Sequence, residues 1–414
     1  MFDLTMKNKI ILFSVLWLCQ LSACSSHNTN KIPPRVRYLK HLTIIPTNHK
    51  PEHKIILKKN TTYGDSSGFY LIPKFKGIAV DYKKRVYILN FPEKLIYVYN
   101  PDGSYLRKIG KNGRGPGEFQ WPLAIRIKHN NLYILGYNQQ KICVYNLKTL
   151  HHVRDDYLSL NRITGKKPSW LIWASNHNWY YRAVNFYVRS DDSYLVFFSD
   201  SDIGIGENIS GRTYVVSIFK PDEGKYSRQN ILSFPWTEGL LANNKMVIPY
   251  VPYKRRSEFT YFDGQLVYGW TGDFLFKFYN DDGNYEKAFC YPYKKAKLKI
   301  KDILAYYHNP SKQIIKSIRD DSLPNTWPVF NKVVMSDKRQ LWVSTNVKNR
   351  KVHKWWILNQ NGKLLGTFTW PINRIIEVVK DGYAYALVHD FHDGIDKIVR
   401  YQIKFRKVRL SETK

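Results

Sequence analysis

Acidic side chains are scarce in this chain of 414 residues, which has 33 Asp and Glu against 65 Lys and Arg. The formal charge of +32 predicts attraction to anionic surfaces, such as lipid head groups and acidic polymers. The basic residues are scattered along the chain in no single block, so a generally basic surface is the alternative interpretation. Nucleic acid is a disfavoured partner, because the N-terminal segment predicts export.

Motifs of the common catalytic classes are also missing. The sequence contains no nucleophile elbow, no Walker loop, no paired-cysteine zinc site and no calcium loop with regularly spaced acidic residues. The glycine-rich run 110–117 is not followed by a helix pattern, so it is not a phosphate-binding loop. These absences favour a binding protein over an enzyme.

Long apolar runs are absent except near the N-terminus, where Ile10–Cys19 follows the basic residues Lys7 and Lys9. This run is too short to span a bilayer, which takes roughly 20 residues. It ends in Leu21-Ser22-Ala23-Cys24, the lipobox pattern. Residues 1–23 are therefore predicted to be a signal peptide, and Cys24 to carry the lipid.

The residues after Cys24 are polar and predict a flexible tether over 24–40. Residue 25 is Ser and not Asp, so the usual inner-membrane retention signal is missing. We expect an outer-membrane lipoprotein that faces the periplasm, and the pattern leaves surface display open.

Two turn signatures recur through the rest of the chain. In the first, Asn- and Gly-containing turns join alternating strands, as at Pro101-Asp102-Gly103, Asp281-Asp282-Gly283 and Asn361-Gly362. In the second, a polar turn leads into an apolar strand, and this occurs six times. Six units of four short strands predict an all-β, six-bladed β-propeller. The predicted blades start near Gly77, Leu123, Trp170, Glu258, Phe330 and Asn373. A pair of β-sandwiches would explain the strands but not the sixfold recurrence.

The sixth unit has only three strands before the chain ends. Two spare strands, Leu42–Ile45 and Lys54–Leu57, lie near the N-terminus, and one of them is expected to complete the last blade. The propeller is predicted to span residues 41–409, with a helical insertion at about 294–328. Cys143 and Cys290 fall two blades apart, so both are expected to be buried free thiols.

The segment Gly110–Phe119, followed by Trp121-Pro122 and the strand Leu123–Lys128, resembles the linker between blades in NHL repeats. The Trp-Pro pair recurs at Trp327-Pro328 and Trp370-Pro371. Over residues 40–409 the chain resembles six-bladed propeller lipoproteins of the NHL and TolB-like type from bacterial envelopes. Most members of this group have no assigned reaction.

The long connections all join strand 2 to strand 3 or one blade to the next, so they are expected on one face of the propeller. Loops on a rigid scaffold commonly carry binding sites. Aromatic rings beside arginines suit sugars or anionic groups, although these side chains could instead pack the helical insertion. The candidate ligand-binding residues are Trp236, Tyr250, Tyr253, Arg255, Arg256, Trp270 and Trp327.

The densest group of metal-ligand residue types is His389, Asp390, His392 and Asp393, in the 2–3 connection of blade 6. These types suit a transition metal, but they are also common turn residues. This cluster is kept as a candidate metal site.

The leading hypothesis is a monomeric, membrane-anchored binding or scaffold propeller that needs no cofactor. Its long-loop face would hold an envelope protein, a peptide or a glycan. The alternative is an enzyme resembling the calcium-dependent lactonase or esterase propellers, which hold a metal in the central channel with Asp, Asn and Glu from inner strands. Glu377 matches one such ligand. A third hypothesis is electrostatic attachment to acidic polymers.

Overall fold

The computed structural model describes residues 34–48, 50–64, 77–158, 181–200, 212–241, 247–248, 251–307, 310–389 and 396–408. The chain divides into two compact units, residues 1–39 and residues 40–414. In the first unit, one helical turn, α1 (Pro34–Arg37), lies where a tether was predicted. The predicted signal peptide and Cys24 lie outside the described residues. No helix in the described ranges is long and apolar enough to cross a bilayer.

The second unit is a six-bladed β-propeller, as predicted, in which the four main strands of each blade pair antiparallel. Strands are numbered along the chain, beginning with β1 (Leu42–Ile44) and β2 (His53–Tyr63). Blade 1 contains β3 (Ile78–Val80), β4 (Val86–Asn90), β5 (Leu95–Tyr99) and β6 (Tyr105–Ile109). Blade 2 contains β7 (Pro122–Lys128), β8 (Asn131–Gly136), β9 (Lys141–Asn146) and β10 (His152–Tyr157). Blade 3 contains β11 (Tyr181–Val188), β12 (Tyr194–Asp200), β13 (Thr213–Lys220) and β14 (Lys225–Pro235).

A short hairpin and two helices interrupt the second half of the ring. The hairpin is β15 (Leu240–Leu241) with β16 (Val247–Ile248). Blade 4 contains β17 (Ser257–Phe262), β18 (Gln265–Trp270), β19 (Leu275–Asn280) and β20 (Tyr285–Cys290). The helices α2 (Ile300–Tyr306) and α3 (Lys312–Asp320) precede blade 5, which contains β21 (Phe330–Met335), β22 (Leu341–Asn346), β23 (Val352–Leu358) and β24 (Leu364–Pro371). Blade 6 contains β25 (Arg374–Lys380), β26 (Tyr383–His389) and β27 (Asp396–Lys407).

The predicted blade starts agree with the structure except in blade 3. Trp170 lies outside the described residues, and the first described strand of blade 3 begins at Tyr181. The helical insertion falls where it was expected, but it forms two short helices with Pro310 between them and not one continuous helix. Proline interrupts a helix because it lacks the backbone N–H and its ring clashes with the preceding turn.

The N-terminal strand β2 completes blade 6. It pairs antiparallel with β27 from His53 opposite Lys407 to Tyr63 opposite Ile398. The predicted closing strand Lys54–Leu57 lies inside β2, so the expectation of N-terminal closure is confirmed. At its start β2 also pairs in parallel with β24 of blade 5, through His53 and Lys54.

The second spare strand has a different role from the one considered in the sequence. β1 adds a fifth strand to blade 4, in parallel with β20, with Thr43 opposite Phe289. Ile45, directly after it, is 2% exposed and packs between blades 4 and 5. The segment from β1 to β2 therefore ties blades 4, 5 and 6 together.

Among the described residues, the propeller has a hydrophobic cluster at each of its six junctions between neighbouring blades. At the junction of blades 6 and 1, for example, Tyr63 of β2 packs with Ile88 and Tyr385. Because both faces of each sheet are apolar, a blade is stable only between two neighbours. Cys143 and Cys290 are buried free thiols in blades 2 and 4, as predicted.

The linker between blades 1 and 2 shows why this segment is rich in glycine. Gly117 has a φ of +69°, and a Cβ there would lie 2.9 Å from both the His152 ring and the Tyr145 hydroxyl. Lys141 fixes the linker to blade 2. Its Nζ donates to the Gly115 carbonyl at 2.8 Å and to Asp155 Oδ2 at 2.6 Å. Both charged side chains of this ion pair are buried.

Replacing Lys141 is expected to loosen this junction. The Lys141→Met variant leaves Asp155 without its main partner, so the free energy of unfolding should fall by about 3 kcal/mol. Burial opposes ionisation of Asp155, but the bonds from Lys141 and His152 outweigh it and lower its pKa. The ion pair therefore stabilises the fold above about pH 4, the ordinary pKa of an aspartate carboxyl group. This stabilisation is lost as the pH falls below that value.

Urea unfolding at pH 7 measures this effect, and Lys148→Met, an exposed lysine of the same blade, is the matched control. Its free energy of unfolding should change by no more than about 0.5 kcal/mol. Equal stabilities for the two variants would contradict the role given to the buried pair.

Candidate functional site

The strand order gives the propeller two unlike faces. Connections within a blade from strand 1 to 2 and from strand 3 to 4 are tight turns, such as 129–130 and 263–264. Connections from strand 2 to 3 and from blade to blade emerge on the opposite face, which we call the loop face. Two long ones are the blade-to-blade connections 236–256 and 291–329. The prediction that the long connections share one face is confirmed.

The helices α2 and α3 form a lid on the loop face with a small core of its own. Ile303 and Ile318 are fully buried there against Leu240, Tyr253 and Trp327. An ion pair between Lys254 and Asp321, 2.9 Å long and nearly buried, joins the lid to the connection that precedes blade 4.

The predicted ligand-binding residues fall into two groups. Trp236, Tyr253 and Trp327 are at most 5% exposed and pack in the blade and lid cores. Packing was the alternative to ligand binding for these residues. Arg255 and Arg256 are partly exposed and pair with Glu238 and Glu258. Trp270 is partly exposed at the end of β18, and Tyr250 lies outside the described residues.

Of the candidate metal cluster only His389 is described, and Asp390, His392 and Asp393 lie outside the described residues. The His389 Nδ1 atom is 2.6 Å from Asp396 Oδ1, directly across the β26–β27 ladder. In the part of the chain that the structure describes, no three His, Cys, Asp or Glu side chains are grouped as metal ligands.

The six inner strands line a central channel whose carboxylates are already engaged. Both oxygens of Glu377 accept hydrogen bonds from Lys332 Nζ at 2.7 Å. Glu258 Oε1 accepts from Arg256 Nε at 2.8 Å. Calcium prefers six to eight oxygen ligands and gains most from unneutralised carboxylates. Glu377, which matched one ligand in the calcium-dependent alternative, is held here in an ion pair with Lys332.

Deeper in the channel lies Arg126, which sequence reasoning did not single out. Its guanidinium donates to the Ile125 carbonyl at 2.7 Å and to Asn185 Oδ1 at 2.5 Å. It stacks on the Tyr187 ring at 4.7 Å. Burial lowers the pKa of Arg126, and the nearby Tyr187 and Glu377 only partly oppose this. The available signal was a charged residue between Ile125 and Ile127 in an otherwise apolar part of β7.

Four further arginines stack on aromatic rings at the loop-face ends of strands. Arg350 lies 4.6 Å from the Trp327 ring centre, and Arg374 lies 5.7 Å from that of Trp370. All four arginines are partly exposed. The remaining stacks are Arg182 with Tyr137 at 5.4 Å and Arg212 with Trp236 at 5.7 Å. Three of these rings come from loop residues, and the fourth comes from the end of β24. No short sequence motif joins a ring to its arginine, so the pairs could not be recognised from the sequence.

His353 is influenced by two nearby cations, Arg350 and Arg256. Asn331 Nδ2 is 3.0 Å from His353 Nε2, which a neutral imidazole can use as an acceptor. Burial, together with Arg350 and Arg256, lowers the pKa of His353 to about 4. The imidazole is therefore neutral at physiological pH, and the positive charge here belongs to the arginines.

Comparison with known proteins agrees with the fold. The model of the DUF5128 family, described as a 6-bladed beta-propeller, matches residues 70–217, about a third of the chain. No curated protein matches the sequence. A Bacteroides fragilis protein described as exported is 13% identical with a TM-score of 0.47, over 88% of this chain and 99% of that one.

Two other solved structures are similar at the same level. A DUF4221 family member from Bacteroides vulgatus is 12% identical with a TM-score of 0.49, over 86% of this chain and 100% of that one. A gluconolactonase from Xanthomonas campestris is 9% identical with a TM-score of 0.42, over 84% of this chain and 98% of that one. Likenesses this distant carry no argument about function.

Stability should depend on the protonation of His353. Its folded pKa of about 4 lies below the ordinary 6.5, so the unfolded chain binds the extra proton first. The stabilisation is complete above pH 6.5 and is lost as the pH falls from 6.5 to 4, by about 3 kcal/mol at most. In His353→Gln this part of the pH dependence should vanish.

Urea unfolding at pH 7.5 and pH 4.5 tests this, with His151→Gln, an exposed histidine on the opposite face, as the control. The control should lose as much stability on acidification as the unmodified protein. A His353→Gln variant that loses the same amount would disprove the assignment.

Proposed function

We propose that this chain is a non-catalytic, membrane-anchored binding propeller of the bacterial envelope, and that its loop face holds acidic glycan chains. The observation that carries the proposal is the set of four arginine–aromatic stacks around the loop face. Their arginines are spread over blades 3, 5 and 6, in a chain with a large excess of positive charge.

Stacked arginines are well suited to this task. A ring beneath the guanidinium restricts its movement while its edge N–H groups stay available to a carboxylate or phosphate. Among the described residues, Arg182, Arg350 and Arg374 form no ion pair with an acidic side chain. Their charge is therefore available to a ligand.

A glycan fits this face better than a compact protein surface does. Trp121, on the linker between blades 1 and 2, is 50% exposed and is braced edge-on by Phe91 at 5.7 Å. An exposed indole offers an apolar plane on which a sugar ring can stack. A polymer with one charge per repeat could also contact several arginines at once, and linked weak contacts add to the affinity.

The paired channel carboxylates weigh against the calcium-dependent lactonase or esterase alternative. A calcium ion at Glu377 would have to displace Lys332, and one at Glu258 would have to displace Arg256. Each displacement would leave a cation without its partner beside the metal.

Removing loop-face charge should weaken glycan binding. In the triple variant Arg182→Gln, Arg350→Gln and Arg374→Gln, we expect the Kd for polygalacturonate to rise about tenfold. Three partly exposed contacts of about 0.5 kcal/mol each give this factor. Calorimetry at low salt measures it, and binding by the unmodified protein should weaken as salt is added.

The matched control removes three exposed lysines from the tight-turn face, in the variant Lys83→Gln, Lys148→Gln and Lys338→Gln. The net charge changes equally, so a general charge effect predicts equal weakening in both variants. That result would contradict the loop-face site. So would calcium-dependent turnover of a lactone without polygalacturonate binding, which would restore the enzyme hypothesis.

The membrane anchor is tested through Cys24. When the full chain is expressed in a bacterial host, Cys24→Ser should move the protein from the membrane fraction to the soluble fraction, because the acylated thiol is lost. Cys19→Ser, within the predicted signal peptide, is the control and should leave the protein in the membrane fraction. Membrane retention of the Cys24→Ser protein would refute the anchor.

A further inference from the structure

The tight-turn half of the central channel is a cavity of about 430 Å³. This volume lies within the range of sites for small molecules, roughly 300–1,000 Å³. Its rim includes residues of the 1–2 turns, among them His129, Gly264 and Asp337, so it opens on the face opposite the lid. The cavity is therefore separate from the proposed glycan surface.

The walls of this cavity are mainly apolar. Each of the six inner strands contributes to them, and the side chains are aliphatic or aromatic at most positions below the rim. Representative wall residues are Ile78, Val80, Ile127, Val188, Val333 and Val378. Such a lining favours the apolar body of a ligand over water.

Polar side chains at the inner part of the cavity carry an unbalanced charge. Arg126 and Glu377 lie at the inner end of the cavity, and Lys128 and Lys380 lie toward its rim. Glu377 is already paired with Lys332. This leaves Arg126 as the cation of the core without a carboxylate partner in the described structure.

The surroundings of Arg126 prepare it for an anion. Two of its nitrogens are fixed by Ile125 and Asn185, and its Nε is buried without a hydrogen-bond partner among the described residues. A partly buried guanidinium lacking an anionic partner is unfavourable, and a carboxylate bound there would offset that cost.

We propose that this cavity binds a small amphiphilic monocarboxylate, with its carboxylate at Arg126 and its apolar chain between the inner strands. The carboxylate compensates the charge of Arg126, while the apolar walls take the hydrocarbon. The polar rim is the entrance on the tight-turn face. This site does not depend on the glycan proposal.

Calorimetric titration of the purified protein with decanoate, kept below its micelle concentration, tests the site. We expect saturable binding of one decanoate per chain, and at least tenfold weaker binding of 1-decanol, which lacks the charge. Acetate should bind at least tenfold more weakly than decanoate, because it lacks the chain. Equal affinity for acid and alcohol, or binding without saturation, would overturn the proposal.

Two variants locate the ligand. Arg126→Gln should weaken decanoate binding at least tenfold and abolish the preference for acid over alcohol. Val378→Phe fills the cavity and retains Arg126, so it should weaken the binding of both decanoate and 1-decanol. It is the test that remains if circular dichroism shows that Arg126→Gln is unfolded. Lys338→Gln, an exposed lysine on the same face but outside the cavity lining, is the charge control and should bind decanoate within threefold of the unmodified protein. Unchanged decanoate binding in Val378→Phe would contradict the location.

Discussion

Pairing of β2 with β27 is the constraint on which the rest of the molecule depends. Eleven residues near the N-terminus, His53–Tyr63, supply the outer strand of a blade whose other three strands come from the C-terminal end. Without this ladder, blade 6 would have an unpaired edge strand. The hydrophobic cluster at the junction of blades 6 and 1 would also lose Tyr63. The short parallel pairings with β24 and β20 extend the same strap across blades 5 and 4.

In a closed ring, the position of a residue along its strand decides whether its side chain lies on the loop face, in the channel or on the tight-turn face. The loop-face ends bring Arg182, Arg350 and Arg374 to one surface, although they are far apart in the sequence. The middle of the inner strands brings Arg126 and Glu377 into the channel, where Glu377 pairs with Lys332. The positive charge that remains at the arginines is the basis of both proposed anion sites.

The repeat, the closure and the division between the faces could be predicted because turn chemistry is local. Asn-Gly and Asp-Gly turns mark hairpins whatever the neighbouring blade contains. The site could be predicted only in part, because burial depends on the partner across a junction. Trp236 and Trp327 lie in loops yet are buried, since an adjoining blade and the lid cover them. The pairing of β1 with blade 4 could not be predicted either, because a three-residue parallel pairing leaves no pattern in the sequence.

Hydrogen–deuterium exchange of the protein with and without polygalacturonate tests the central claim, that the loop face is the binding surface. The account predicts slower exchange in the loop-face connections 91–94, 236–241 and 347–351 when the polymer is bound. Exchange in the tight turns 100–104, 263–264 and 359–363 should not change. Protection confined to the tight turns, or equal protection of both faces, would contradict it.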